Sequence, residues 1–237
     1  MTSFAIYRRQ RFNTWLFTAL SFYLLLFANA SFEFEPSDAY KFIFILFSLL
    51  AMRLYDDLQS VRIDEGKSDR IYTDPVVAKE LTFVLIGLLF FFLTALLFVN
   101  WLLALYALVF LSVNHVIYLF LFQKNDFNYF LPLLKYPALV WALTEQLSFD
   151  LPALFFAFLV FEAIDDKQFP IRGSYTYYLA AVAFGLLSID LPLYNAWMSI
   201  LLFAISVLVI FINSKYSPYI FIALFLLGRL TLLFNEI

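Results

Sequence analysis

Long apolar runs, broken by short polar stretches, make up most of this chain of 237 residues. Several runs approach or exceed the roughly 18–20 residues that an α-helix needs to cross the hydrocarbon core of a bilayer. Because open strands cannot satisfy their backbone groups in lipid, we interpret every run as a helix. The nine predicted segments are 12–30, 40–54, 80–98, 101–122, 128–146, 151–164, 175–189, 194–213 and 217–234.

The composition agrees with a protein that is embedded in a membrane. Hydrophobic residues make up 64% of the chain and charged residues 14%, whereas a soluble domain carries about 25% charged residues. We therefore predict an all-α, polytopic membrane protein, with one transmembrane domain over residues 1–237 and no soluble module. The absence of cysteine excludes disulfides, thiolate nucleophiles and cysteine-bound zinc.

The first apolar segment also has features of a signal peptide, because Arg8, Arg9 and Arg11 precede it and the small residues of 28–30 end it. The apolar run is long for a signal peptide, however. We therefore predict an uncleaved first transmembrane helix.

Lysine and arginine are distributed unevenly between the two sets of loops. Twelve of them fall at the N-terminus or after even-numbered segments, whereas Lys41 falls on the opposite side. By the positive-inside rule, the N-terminus is cytoplasmic, and an odd number of spans places the C-terminus outside. We expect a multi-pass protein of the inner, cytoplasmic membrane, surrounded by the lipid bilayer and without a nucleic-acid partner.

Two short acidic clusters interrupt the apolar pattern, and both follow even-numbered segments. Carboxylates at the rim of a membrane are costly, so their accumulation there indicates a function. Because both clusters face the cytoplasm in the predicted topology, they can converge on a single site. Their members are Asp56, Asp57 and Asp64 in the first cluster, and Glu162, Asp165 and Asp166 in the second.

The spacing of the carboxylates favours a metal ion. If the second segment continues as a helix beyond residue 54, then Arg53, Asp56, Asp57, Ser60 and Asp64 lie on one face. Three carboxylates stacked there repel one another unless a cation lies between them, and the negative end of the helix dipole adds to its attraction. Mg²⁺ prefers such oxygen ligands and shares them with water and substrate phosphates. We therefore predict that the six carboxylates of the two clusters bind Mg²⁺.

Basic residues accompany both clusters and are candidates for binding a diphosphate. Lys135 is the most informative of them, because it falls within the fifth apolar segment, where an unpaired ammonium group is costly. A diphosphate bridged by Mg²⁺ would satisfy its charge. The predicted diphosphate-binding residues are Lys67, Arg70, Lys135, Lys167 and Arg172.

Two isolated polar residues in apolar segments have simpler interpretations. We interpret His115, the only histidine, as a packed and hydrogen-bonded side chain rather than a base or a ligand. Arg229, in the ninth segment, is expected to form an ion pair or to direct its charge towards the membrane surface.

The first acidic cluster resembles a motif of the UbiA superfamily of intramembrane prenyltransferases. In that family, N-D-x-x-D-x-x-x-D follows the second of nine transmembrane helices and is often trailed by K-P-D-R. Residues 56–64 match the motif, with Asp56 in place of Asn and Ser60 in place of the middle Asp. Residues 67–70, K-S-D-R, match the trailing element.

The second cluster extends the resemblance. The family carries a D-x-x-x-D motif after its sixth helix, and Glu162 and Asp166 match its outer positions. Lys135 corresponds to the lysine of a Y-x-x-x-K element, although Leu131 stands where the family has tyrosine.

The resemblance implies a nine-helix UbiA-like bundle with a Mg²⁺-dependent prenyltransferase activity. Such an enzyme transfers an isoprenoid chain from a prenyl diphosphate to a hydrophobic acceptor, which is aromatic or a lipid, and it holds the diphosphate with two Mg²⁺ ions. In this chain the resemblance assigns catalytic roles to Asp57, Asp64 and Asp166.

Two alternatives stay open. The departures from the motifs favour a non-catalytic UbiA-like protein that binds an isoprenoid or acts as a scaffold. A transporter with Lys135, His115 and Arg229 as a polar pathway is a further possibility, although glycine and proline interruptions of the segments are sparse.

Overall fold

The computed structural model describes residues 2–12, 14–29, 35–61, 70–99, 130–144, 147–165, 169–171, 173–189, 193–212 and 214–233, with single residues and pairs between 101 and 116. All regular secondary structure within these residues is helical, which confirms the all-α fold class. The α-helices are α1 (Ser3–Arg11), α2 (Thr14–Ala28), α3 (Pro36–Gln59), α4 (Pro75–Val99), α5 (Lys135–Thr144), α6 (Asp150–Asp165), α7 (Ser174–Leu187), α8 (Leu193–Ile212) and α9 (Ser217–Leu233). Short 3₁₀ helices cover Ile71–Thr73 and Leu131–Leu134.

Where the structure describes the predicted apolar segments they are largely helical, and the main differences lie at their ends; most of the segment 101–122 lies outside the described residues. Helix α3 begins before its apolar run because polar residues form its first turn: Pro36 is the first helical residue, and the Glu35 N–H donates to Asp38 Oδ2 at 3.0 Å. Lys41 adds an ion pair to Asp38 at 2.8 Å. Helix α1 is an addition to the prediction, since it precedes the first apolar segment.

The chain folds into two compact units, which are described separately. The first comprises Met1–Leu25 with Glu35–Gln123, and the second comprises Leu26–Phe34 with Lys124–Ile237. The single transmembrane domain over the whole chain stays a prediction. The core of the first unit is formed by α1, α3, α4 and the 3₁₀ helix between them, through the buried residues Tyr7, Ala51, Leu54, Tyr72, Leu81 and Leu85.

The second unit is built around α6, α7, α8 and α9, which pack against one another. Phe184 of α7 contacts Phe221 and Phe225 of α9 edge to face, at centroid distances of 6.2 and 5.5 Å. Arg229 of α9 forms an ion pair with Asp150, the first residue of α6, at 3.2 Å. Of the two arrangements expected for Arg229, the structure shows the ion pair.

Among the described residues, one helix is both long and apolar enough to cross a membrane, over Pro75–Ala95 of α4. A core helix of a soluble protein buries most of such a stretch, whereas this one leaves large side chains exposed, including Phe90 at 72%. The exposed apolar surface suggests an association with a membrane. Four apolar helices are shorter, at Thr14–Ala28, Ser174–Leu187, Trp197–Ile212 and Ser217–Leu230.

Candidate functional site

The first acidic cluster begins near the end of α3, and Ser60 terminates this helix. The Ser60 N–H donates to the carbonyl oxygens of Asp56 and Asp57 at 3.0 and 3.1 Å, and its hydroxyl donates to the Asp56 carbonyl at 2.8 Å. The predicted continuation of the helix beyond residue 54 is thus confirmed as far as Gln59. The helical face that was predicted to reach Asp64 ends there, and Asp64 lies outside the described residues.

Asp57 lies inside the first unit, with 4% of its surface exposed. Arg11 of α1 contacts both of its oxygens, with Nε 3.1 Å from Oδ2 and Nη2 2.8 Å from Oδ1. The Tyr7 hydroxyl donates to Oδ2 at 2.9 Å, and Nη2 of Arg53 lies 3.4 Å from Oδ1. A two-pronged contact between a guanidinium and a carboxylate is among the stronger ion pairs in proteins.

Arg11, Tyr7 and Arg53 compensate the negative charge of Asp57 within the protein. Burial, followed by the charge of Asp57, raises the pKa of the Tyr7 hydroxyl well above its ordinary value, so Tyr7 keeps its proton and remains a donor. Tyr72 closes the cluster, because its ring meets Tyr7 edge to face and lies 5.7 Å below the Arg11 guanidinium. The sequence indicated none of the partners from α1, which lie 46 and 50 residues from Asp57 along the chain.

Asp56 and Tyr55 belong to a different set of contacts at the same helix end. Asp56 is half-buried. The Tyr55 hydroxyl lies 2.6 Å from Nδ1 of His115, which confirms that this histidine is hydrogen-bonded, although its side chain is exposed rather than packed. Burial, followed by the negative charge of Asp56, raises the pKa of Tyr55 to about 12.

The two described members of the second acidic cluster lie on the last turn of α6. Glu162 is half-buried there and Asp165 is exposed, one helical turn apart. The connection after the helix is anchored by the buried Phe169, whose ring meets Phe130 edge to face at 5.7 Å. Gly173, with φ of 68°, then starts α7 from a backbone conformation that glycine adopts most readily.

The two described basic candidates lie at the starts of short helices. Lys135 is half-buried where the 3₁₀ helix Leu131–Leu134 meets α5, with its Nζ 5.4 Å from the centre of the Tyr136 ring. Arg70 is half-buried and directly precedes the 3₁₀ helix Ile71–Thr73, where its carbonyl oxygen accepts a bond from the Thr73 hydroxyl at 2.7 Å.

The described candidates fall in both units. Asp56, Asp57 and Arg70 belong to the first, and Lys135, Glu162 and Asp165 belong to the second. Asp64, Lys67, Asp166, Lys167 and Arg172 lie outside the described residues. Within the described part of the chain, no three Asp, Glu, His or Cys side chains are grouped so that they could hold a metal ion. The shared Mg²⁺ site of the two clusters therefore stays a prediction.

The fold and these contacts define an all-helical protein with an exposed apolar helix and a buried, ion-paired carboxylate in its first unit. No family model matches the chain, and neither a curated protein nor a solved structure matches it. The resemblance to the UbiA superfamily thus depends on short sequence motifs and the number of apolar segments alone.

Proposed function

We propose that the chain is a multi-pass protein of the cytoplasmic membrane, with nine transmembrane helices and its N-terminus in the cytoplasm. The exposed apolar surface of α4, the shorter apolar helices and the uneven distribution of lysine and arginine support this topology. Both acidic clusters then lie at the cytoplasmic rim of the membrane.

We further propose that it is a UbiA-like prenyltransferase, which transfers an isoprenoid chain from a prenyl diphosphate to an aromatic or lipid acceptor. The observation that carries this proposal is the position of Asp56 on the last turn of α3 and of Glu162 and Asp165 on the last turn of α6. Carboxylate oxygens at the negative end of a helix suit a hard divalent cation. Basic residues follow both helices in the sequence.

In this proposal, Mg²⁺ would be held by Asp56, Glu162 and Asp165 together with Asp64 and Asp166. It would supply the positive charge that neutralises the leaving diphosphate. Arg70 and Lys135, with Lys67, Lys167 and Arg172, offset the remaining charge of the leaving group. Asp57 differs from the other carboxylates, because both of its oxygens already accept bonds from α1. It would have to exchange one of these bonds in order to bind Mg²⁺.

The activity is tested with purified protein, Mg²⁺, radiolabelled prenyl diphosphates of several lengths and acceptors from a membrane extract. We expect turnover that falls on the order of 100-fold in Asp56→Asn and in Glu162→Gln, because each removes one carboxylate that would hold Mg²⁺ against the departing diphosphate. Glu80→Gln, an exposed carboxylate at the start of α4, serves as the control and should retain the activity. Equal activity of all three variants would contradict the assignment of the site.

A second candidate function is that of a non-catalytic protein that binds an isoprenoid or acts as a scaffold. The contacts of Asp57 favour it, because Arg11, Tyr7 and Arg53 fill the position that a metal ligand would keep open. Binding of prenyl diphosphate without turnover, under the same conditions, would support this candidate over the enzyme.

A further inference from the structure

The inner face of helix α1 is fixed to the rest of the first unit. Tyr7 and Arg11, one helical turn apart, both contact the Asp57 carboxylate at the end of α3, and Tyr7 is buried in the core. At the end of α1, the ring of Phe12 stacks on the ring of Phe17 in α2, with centroids 3.9 Å apart. These contacts determine which side chains of α1 point away from the core.

The outer surface of α1 carries two arginines. Arg9 and Ile6 lie on the side of the helix opposite the inner face, and Arg8 lies on its flank. All three side chains are exposed. The charge of Arg11 is already offset on the inner face, and residues 1–32 include no acidic residue. The outer surface of α1 is therefore positively charged.

The charges of the neighbouring helix leave this positive charge in place. Helix α1 packs against α4, where the exposed Lys79 and Glu80 carry opposite charges. Asp74, directly before α4, accepts bonds from the backbone N–H groups of Val76 and Val77 at 2.8 and 3.2 Å. Its carboxylate thus lies against the positive end of the α4 dipole. An anionic partner is favoured at the outer surface of α1.

Apolar side chains near the arginines in the sequence favour a lipid surface over a partner in water. Trp15 and Leu16, in the first turn of α2, are 85% and 43% exposed. Tryptophan is enriched at membrane–water interfaces, and basic residues beside exposed apolar ones are typical of helices that lie in the interface plane. Three arginines within nine residues also exclude α1 from the hydrocarbon core.

We propose that α1 lies on the membrane surface and that Arg8 and Arg9 bind the phosphate groups of anionic phospholipids. The contacts of Asp57 hold the two arginines at a fixed position relative to the core of the first unit. The assignment to the cytoplasmic leaflet depends on the topology proposed above, whereas the preference for anionic lipid does not.

Native mass spectrometry of the full chain in a non-ionic detergent measures the affinity for single lipids. The chain is titrated with dioleoyl phosphatidylglycerol and with dioleoyl phosphatidylcholine, which have the same acyl chains and differ in net charge. We expect phosphatidylglycerol to bind roughly 25-fold more tightly, because each arginine near an anionic headgroup contributes about fivefold. The double variant Arg8→Gln with Arg9→Gln should lose most of this preference. Equal affinities of the unchanged chain for the two lipids would overturn the inference.

Lys215→Gln is the control for the charge of the chain. Lys215 is an exposed basic residue of the second unit and is predicted to lie on the same side of the membrane. Arg9→Gln should weaken the binding of phosphatidylglycerol about fivefold, and Lys215→Gln should weaken it by less than about twofold. Equal losses would mean that net charge, rather than α1, sets the preference, and the inference would fail.

Glycerol 3-phosphate separates a lipid surface from a site for free phosphate, because it has the headgroup phosphate without the acyl chains. We expect it to bind far more weakly than phosphatidylglycerol does. If the two bind with the same affinity, and both depend on Arg8 and Arg9, the site recognises phosphate alone and the inference is wrong.

Labelling of Tyr216→Cys in intact cells, at an exposed position between α8 and α9, tests the proposed topology separately. If this cysteine reacts with an impermeant maleimide before lysis while Arg8 and Arg9 govern the binding of phosphatidylglycerol, the topology fails and the lipid site stands. If the cysteine is protected while the two lipids bind alike, only the inference about α1 fails.

Discussion

Asp57 carries a negative charge that is almost removed from water. The buried carboxylate is stabilised mainly by residues far away in the sequence. Arg11 supplies two hydrogen bonds and a full positive charge, Tyr7 supplies a third bond, and Arg53 adds a more distant charge. Since the removal of one partner leaves a buried charge uncompensated, each of these contacts is expected to matter more than an exposed ion pair does. The cluster fastens α1 to the end of α3.

Arg11→Met tests the ion pair between Arg11 and Asp57. We expect a loss of about 3 kcal/mol in the free energy of unfolding, because Asp57 stays buried with its bidentate partner gone. Arg9→Met, at an exposed position of the same helix, should change the free energy by less than about 0.5 kcal/mol. Denaturant unfolding in detergent measures both, and Arg11→Met with Asp57→Asn should recover part of the loss. Equal effects of the two arginine variants would contradict a structural role for the ion pair.

At the scale of the element, polar residues decide where the helices begin and end. The apolar pattern predicts a helix from residue 40, but Glu35, Pro36 and Asp38 start it earlier, and Ser60 ends it. Hydrophobic spacing shows which residues share a lipid or core face, whereas the bounds depend on local hydrogen bonds to the terminal backbone groups.

Asp38→Ala tests the start of α3. Asp38 is buried, accepts a bond from the Glu35 N–H and pairs with Lys41, so its loss should cost about 1–2 kcal/mol of unfolding free energy. Ser37→Ala, at the exposed neighbouring position, is the control: it loses one exposed hydrogen bond to Glu35 at 3.3 Å and should cost less than about 0.5 kcal/mol. The same denaturant titration measures both variants. If Asp38→Ala is as stable as Ser37→Ala, the polar start of the helix does not stabilise it.

Much of this helical arrangement can be predicted from the sequence, and the candidate site only in part. Hydropathy predicts the apolar segments. The cost of a charge in lipid predicts that the acidic residues mark a candidate site and that the charge of Arg229 needs compensation. The partners of Asp57 and of His115 do not follow, because they depend on the packing of separate helices: Arg11 is 46 residues from Asp57, and Tyr55 is 60 residues from His115. Helix α1 was missed because its nine residues include three arginines and form no apolar run.

At the scale of the whole molecule, the proposed function requires that both helix ends with acidic residues lie on the same side of the membrane. Both clusters follow even-numbered predicted segments, and the uneven distribution of basic residues predicts that this side faces the cytoplasm. Because the chain contains no cysteine, a single introduced cysteine is a unique labelling site that can test this topology.

Single cysteines test the topology in intact cells. Tyr216→Cys, exposed between α8 and α9, is predicted to be cytoplasmic, and Ser148→Cys, exposed just before α6, is predicted to lie outside. A maleimide that does not cross membranes should label Ser148→Cys in intact cells, and both variants after the cells are lysed. Labelling of Tyr216→Cys before lysis would contradict the predicted orientation.

The central claim is that the two acidic clusters act together on one diphosphate. Mg²⁺-dependent binding of a radiolabelled prenyl diphosphate is therefore measured in Asp56→Asn, in Glu162→Gln and in the double variant, with Glu80→Gln as the control. If the clusters form one site, each single variant should weaken binding by roughly 10- to 100-fold, and the double variant should weaken it by less than the product of the two single effects. If only one substitution weakens binding, or if the two effects multiply as independent ones do, the clusters do not share a site and the account is contradicted.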